Sequence, residues 1–174
     1  MSDVEQAGAM DVNEAIRRKR AVRAYTAQPV PEAVIEAILN AGRRAQSSKN
    51  SQPWSFVLVS APEQLQRLST AGNFAEHMPH AAFVVVLVGT PGYEFDLGQA
   101  ASYMQLVATA HSVGSCVTTL HNQEAAHEIL GVPEDLTCRW TITFGYPAAQ
   151  QPPPPLKLGG RKPLAELVRR ERYS

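Results

Sequence analysis

The stretch R-R-K-R-A-V-R, residues 17–23, places five cations in seven positions. If a helix ends there, Lys19, Arg20 and Arg23 stand near one another. A guanidinium is a planar fork that pairs with two phosphate oxygens at once, and an ammonium adds a compact point charge. A phosphate monoester carries about two negative charges, so two or three such cations suit it. The same cations would also complement the negative end of a helix dipole. Composition leaves these two readings level.

A second stretch, A-Q-S-S-K-N-S-Q-P-W-S-F-V-L-V-S at 45–60, runs small polar residues into Pro53-Trp54 and then an apolar strand. Ser47, Ser48 and Asn50 offer hydroxyl and amide groups to a polar planar ring or a ribityl-type chain. Trp54 would hold such a loop still through its large apolar area. A capped turn before a strand is the plainer account of the same residues.

Other chemistry-bearing residues are sparser. His77 and His80 lie three apart with no nearby Cys or carboxylate, a thin basis for a metal, and a loop role is expected. Cys116 lies between His111 and His121, yet no nucleophile elbow surrounds it, so a buried structural thiol is expected. Tyr93 and Phe95 either stack on a substrate or pack. Trp140 reads as core.

The elements that must position these residues follow from periodicity. Asp11 can cap a helix over 12–19 with Ile16 inward. Pro31 opens an amphipathic helix to about 44 carrying Val34, Ile35, Ile38 and Leu39. Strands are expected over 55–60, 82–88, 115–120 and 138–144, the second covered on both faces because it is continuously β-branched. Helices are expected over 62–70, 96–112 with Asp96 as cap, and 123–130. A final amphipathic helix would contain Leu164, Leu167 and Val168. Before it, Q-Q-P-P-P-P is a stiff extended spacer. A detached helix after such a spacer has little to bury against locally, so the arm is expected to cross to a second subunit.

The reading is α+β: four strands, about five helices and a reaching C-terminal arm. No strand–GxGxxG–helix element for a dinucleotide occurs. The 174 residues fit one domain, 11–174, after a flexible 1–10. Charged residues are 18% and apolar residues 44%, with 16 Lys plus Arg against 16 Asp plus Glu. That balance argues against nucleic-acid or membrane-surface partners. No signal layout or membrane span is visible and the two cysteines form no framework, so a cytoplasmic protein is expected.

The segments R-x-x-R-A-Y and P-E-A-V-I-E-A-I-L-N-A-G-R-R-A-Q-S-S-K-N-S-Q-P-W-S-F-V-L-V resemble the N-terminal half of the nitroreductase-like FMN-dependent flavoproteins. A-H-S-V-G-S-C at 110–116, F-G-Y-P at 144–147 and G-R-K-P-L at 160–164 match in the same order. The resemblance covers nearly the whole chain after residue 10.

It implies a mixed, mostly antiparallel sheet flanked by helices, and a homodimer whose arms, 152–174, swap onto the partner subunit. Two FMN sites would lie at the interface. By match, Lys19, Arg20, Ala21 and Arg23 would face the FMN phosphate and ring edge. Arg161 and Lys162 would complete the phosphate grip. Ser47, Ser48 and Asn50 would come from the other subunit, and backbone groups of Thr118, Thr119 and Leu120 would bond near N5. The implied activity takes hydride from NADH or NADPH and passes it, ping-pong, to a small electrophile such as a nitroaromatic or quinone. No metal and no catalytic side chain is implied. An FMN-binding sensor or carrier without turnover, or a flavin-consuming enzyme of the same superfamily, are the alternatives.

Two departures stand out. The family usually has Ser at Ala21 and Pro at Gln46. The stretches between strands that hold a substrate lid in larger members are short here, which implies a more open flavin face.

Overall fold

The computed structural model describes residues 10–151 and 160–173. The expected flexible N-terminus, save residue 10, and most of the proline spacer lie outside the described residues. One four-stranded antiparallel sheet, in the order β1-β2-β4-β3, organises the rest. Its strands are β1 (Trp54–Val59), β2 (Phe83–Gly89), β3 (Gly114–Thr119) and β4 (Thr137–Gly145). Six α-helices accompany it among the described residues: α1 (Val12–Arg18), α2 (Glu32–Arg43), α3 (Pro62–Ser69), α4 (Glu94–Ala110), α5 (Gln123–Leu130) and α6 (Leu164–Leu167).

The β-branched run F-V-V-V-L-V-G becomes β2, and all seven of its residues are buried. Successive side chains of a strand point to opposite faces. Val85 and Leu87 therefore enter the layer under α2 and α4, with Ile38, Leu97, Met104 and Ile142. Val84, Val86 and Val88 enter the opposite layer, with Leu65 and Leu68 of α3 and Ala126 of α5. Each such apolar side chain contributes about 1.5–3 kcal/mol when fully withdrawn from water. Phe83 and Phe144 pair across β2 and β4 and stack at 4.8 Å between ring centroids.

Several local expectations are corrected. Ile16 is exposed and Ala15 is the buried residue of α1, because the helix turns its small side to α4. Asp96 is not the cap of α4. That helix starts at Glu94 after Tyr93, which puts Asp96 in its first turn, buried. Asp11 stands at the N-cap position but its side chain makes no capping bond. The last helix has only four residues, and Val168 already lies in extended conformation. Leu164, Leu167, Val168 and Tyr173 are all exposed, so the protomer itself does not cover this apolar segment.

Both cysteines are free and buried. Trp140 packs at the edge of the α2/α4 layer, and the Arg139 guanidinium lies 5.5 Å from its ring. Trp54 opens β1 opposite Gly89 and packs on the same layer. Among the described residues, no helix is long and apolar enough to cross a membrane.

Candidate functional site

The chain leaving α1 lies along the outer edge of β3. Ala21 forms an isolated parallel bridge with Ser115, and the Val22 N–H donates to the Ser115 carbonyl at 3.0 Å. Gly114 makes this approach possible: a Cβ there would stand 2.7–2.8 Å from the Val22 side chain. The segment then meets the chain after β4. The Thr26 N–H donates to Tyr146 O at 2.8 Å, and the Ala148 N–H to Ala24 O at 2.9 Å.

This seating brings the cations inward. Arg23 lies near the Cys116 thiol, on β3, and near His77. Lys19 lies near Cys116 and near Arg161, which returns to it from the C-terminal segment. Burial, followed by the neighbouring Arg161 charge, lowers the Lys19 pKa, and Cys116 opposes the shift. Burial pushes the Cys116 thiol up, against the pull of Arg23 and Lys19, so it is no ready nucleophile. Arg20 behaves differently. Its Nη1 donates to the carbonyls of Arg17 at 2.6 Å and Lys19 at 2.8 Å, closing the end of α1. Lys162 is exposed.

The face of the sheet behind these cations is polar. The Tyr25 hydroxyl is 2.7 Å from Thr143 Oγ1 and donates to Val22 O at 2.6 Å. Burial pushes its phenol well above the usual range. His77 Nε2 is 3.1 Å from Thr118 Oγ1, both buried. Burial and, second, the Arg23 charge lower the His77 pKa, with Glu76 opposing, which favours a neutral imidazole.

Strand register decides which β3 backbone groups are free. Gly114 to Thr119 pair with Gly145 to Trp140, and the Leu120 N–H donates to Arg139 O at 2.9 Å. Cys116, Thr118 and Leu120 thus turn their amides to β4, and alternation turns those of Val117 and Thr119 to the outer edge. Leu120 O also accepts from Gln123 at 2.7 Å. Of the expected backbone donors, then, Thr118 and Leu120 are spent in the ladder and Thr119 remains, joined by Val117. Gly72 closes the far end of this edge, since a Cβ there would meet Thr119 O at 2.9 Å.

Ser47, Ser48 and Asn50 do not join this cluster within the protomer. The Ser48 N–H donates to buried Asp96 at 3.4 Å, at the start of α4. The β3 end of the same helix is marked by Gln105, which donates to Ser115 Oγ at 3.1 Å. Nine residues of helix separate the two contacts, about 14 Å. Gln46, where the family usually has Pro, donates to Gln99 Oε1 at 2.7 Å. The loop is conformationally tense: Lys49, Asn50 and Gln52 have φ of 53°, 54° and 48°.

His77, Cys116 and Val117 are the site residues that sequence reasoning did not assign. The signal for Val117 was the two-residue strand period; His77 stood out only by its spacing to His80, which pointed to a loop role and not to Thr118. Phe74 is 73% exposed and meets His121 edge-on at 5.9 Å, at the end of the same β3 edge. Phe95 is 80% exposed near the Ser48 loop. Among the described residues, no group of three or more His, Cys, Asp or Glu could hold a metal ion.

The four-stranded sheet and its helices make an α+β scaffold, and comparison gives the class. The Nitroreductase family pattern matches residues 16–88 and 69–146, and this chain belongs to that family. Over 144 residues, 76% of this chain and 83% of the relative, it is 30% identical to an Archaeoglobus fulgidus protein. The name of that protein gives, provisionally, NADH dehydrogenase and NAD(P)H nitroreductase. It is 26% identical to the NADH dehydrogenase of Thermus thermophilus, over 91% of this chain and 95% of that one. Nitroreductase A of Vibrio parahaemolyticus shares the fold at a TM-score of 0.84 and 23% identity, covering 95% of this chain and 78% of that one. An FMN-dependent nitroreductase of Clostridium difficile R20291 does so at 0.79 and 23%, covering 91% and 98%.

Proposed function

We propose that the chain is an FMN-dependent oxidoreductase acting as a homodimer, with NADH or NADPH as donor and a small nitroaromatic or quinone as acceptor. The observation that carries this reading is the placement of Lys19 and Arg23 near Cys116, on the strand whose outer edge is open beyond Ser115, with Arg161 near Lys19. The FMN dependence of the Clostridium difficile nitroreductase and the NAD(P)H in the Archaeoglobus relative's name support it.

The donor set fits the cofactor. Three cations suit a phosphate dianion, and the outward amides of Val117 and Thr119 suit the rim of a heteroaromatic ring. When bound, FMN would supply a two-electron carrier that takes hydride from the nicotinamide and delivers it to the acceptor in separate half-reactions. The protein's part is binding and orientation. Lys19, Arg23 and Arg161 would neutralise the phosphate. The edge of β3 would set the ring plane. His77, held neutral and bonded to Thr118, would offer a polar contact without adding charge. Phe74 and His121 would wall one side and exclude water.

Dimerisation would account for the distance between the two groups of site residues, since a second copy could bring its Ser47–Asn50 loop to the β3 edge. An open groove of about 760 Å3 runs along β1, itself an edge strand, and is lined by Leu39, Arg43, Trp54, Phe56 and Leu58. With the exposed apolar residues of the C-terminal segment, it supports a seat for the partner's arm.

The deciding experiment is an anaerobic titration of FMN-loaded protein with NADH and then NADPH. Bleaching of the flavin absorbance, restored by a quinone, is expected with at least one of them. A spectrum unchanged by both nicotinamides would reduce the reading to flavin binding without turnover. Protein that neither purifies with FMN nor quenches its fluorescence on addition would sink it.

A further inference from the structure

Gln151 is the last residue described before the proline run, and its side chain turns back onto the chain that carries Arg23. Its Oε1 accepts the backbone N–H groups of Arg23 and Ala24, both at 3.1 Å. Its Nε2 donates to Ala24 O at 2.7 Å and Ala148 O at 3.0 Å. A carboxamide has two lone pairs on oxygen and two N–H bonds, and all four are used. The orientation of the amide is also decided, because a flipped group would set donors against donors and oxygen against carbonyls.

The surrounding main chain shows what this contact does. Segments 24–26 and 146–148 already pair, through Thr26 to Tyr146 and Ala148 to Ala24. Tyr25 faces Pro147 as the non-hydrogen-bonded pair between these two bonds, where a residue without an N–H loses nothing. On the other side, Val22 is held by Ser115. Arg23 lies between these two anchors, and its own amide finds its partner in the Gln151 side chain. The clamp holds the Cα of Arg23 while its side chain lies in the neighbourhood of Cys116 and His77.

We propose that Gln151 is a positioning residue: its carboxamide locks the backbone of Arg23 and Ala24, and thereby sets where the Arg23 guanidinium stands in the cofactor site. It touches no cofactor atom itself. The cofactor half of this statement rests on the FMN reading above.

The test uses the full chain in wild-type, Q151A, R23A and doubly substituted form. Amide hydrogen exchange without FMN reads the clamp: Arg23 and Ala24 should exchange faster in Q151A, with Val22 unchanged. FMN affinity, followed by fluorescence quenching, reads the consequence. Q151A is expected to weaken binding about ten-fold, the loss of one or two well-made hydrogen bonds' worth of order. In the R23A background the same substitution should add less than about two-fold, since coupled residues are not additive. Where Q151A is unfolded by circular dichroism, Q151M, of similar length and without amide groups, takes its place. Unchanged exchange at both amides, unchanged affinity in Q151A, or fully multiplicative effects in the double variant would each overturn the proposal. Wild-type protein that takes up no FMN overturns the cofactor reading itself and with it the link to the site; faster exchange would then uphold the clamp alone.

Discussion

Nε2 of His77 stands 3.1 Å from the hydroxyl of Thr118, with both side chains buried, and this contact ties the loop before β2 to the middle of β3. The loop comes from one side of the sheet and the strand lies at its far edge, so their meeting depends on the whole β1-β2-β4-β3 order. Arg23 approaches the same imidazole from the N-terminal segment. Three distant parts of the chain thus share one small polar pocket.

The first prediction concerns pH. Burial and the Arg23 charge hold the folded His77 pKa below its ordinary value of about 6.5. Between the folded value and the unfolded one, unfolding takes up a proton. The contribution of His77 is therefore complete above the unfolded pKa and is lost as pH falls from there through the folded pKa. Urea denaturation should show wild type losing more stability than H77Q when pH drops from about 7 to about 5. Parallel losses in the two proteins would assign the pH dependence to other groups.

A second prediction addresses the cations. Arg23→Ala and Arg161→Ala should each weaken FMN binding by about 1.5–3 kcal/mol, the range for hydrogen bonds to charged groups. Fluorescence titration gives the dissociation constants. Arg161 is exposed, so R161A should melt at the wild-type temperature without FMN. Wild-type affinity in both variants would remove the phosphate assignment.

Close packing at Gly114 leads to a third. A methyl group there would lie 2.7–2.8 Å from three atoms of Val22. Gly114→Ala should cost about 1–3 kcal/mol, typical of overpacking. Combining it with Val22→Ala should return part of that loss, as seen in urea midpoints. If the double variant is as unstable as the sum of the singles, the clash is not the cause.

The loop before β1 supplies a fourth. Asp96 accepts the Ser48 N–H and, at 3.4 Å, Gln99 Nε2. Asp96→Ala leaves the Ser48 amide without that acceptor and should destabilise the protein by about 1–3 kcal/mol. In the dimer, that loop would serve the partner's cofactor, so FMN affinity should fall as well. Lost stability with full affinity would separate the loop from the site.

The fifth tests assembly. Leu58 is 40% exposed in the groove along β1. Leu58→Asp should weaken the dimer by about 2 kcal/mol or more, as for a central apolar contact, while leaving protomer helicity intact. Sedimentation velocity across a dilution series reads this directly. A wild-type protein that sediments as a monomer at all concentrations would refute the dimer.

Much of this architecture was legible because burial writes a period into the residues. The unbroken F-V-V-V-L-V-G run marked a strand covered on both faces, and β2 is that strand. The alternation of Val34, Ile35 and Ile38 marked the inner face of α2. Ends were less legible. Asp96 has the chemistry of a cap, but its carboxylate serves Ser48 from another segment, and tertiary contact overrode local preference. Ile16 looked like an inward residue, yet Ala15 is the buried one, because the face that α1 turns to the core is set by its packing on α4 and not by the most apolar side chain.

Residue types and their order in the chain determined the strands, the principal helices, the cationic window at 17–23 and the polar loop at 46–50. These follow from short-range rules: side-chain period, charge density and backbone freedom. Tertiary structure alone decided that His77 reaches Thr118 and that Val117 rather than Thr118 turns its amide outward. Such facts depend on sheet order and register, which bring together residues tens of positions apart, and no local pattern of side chains carries that distance.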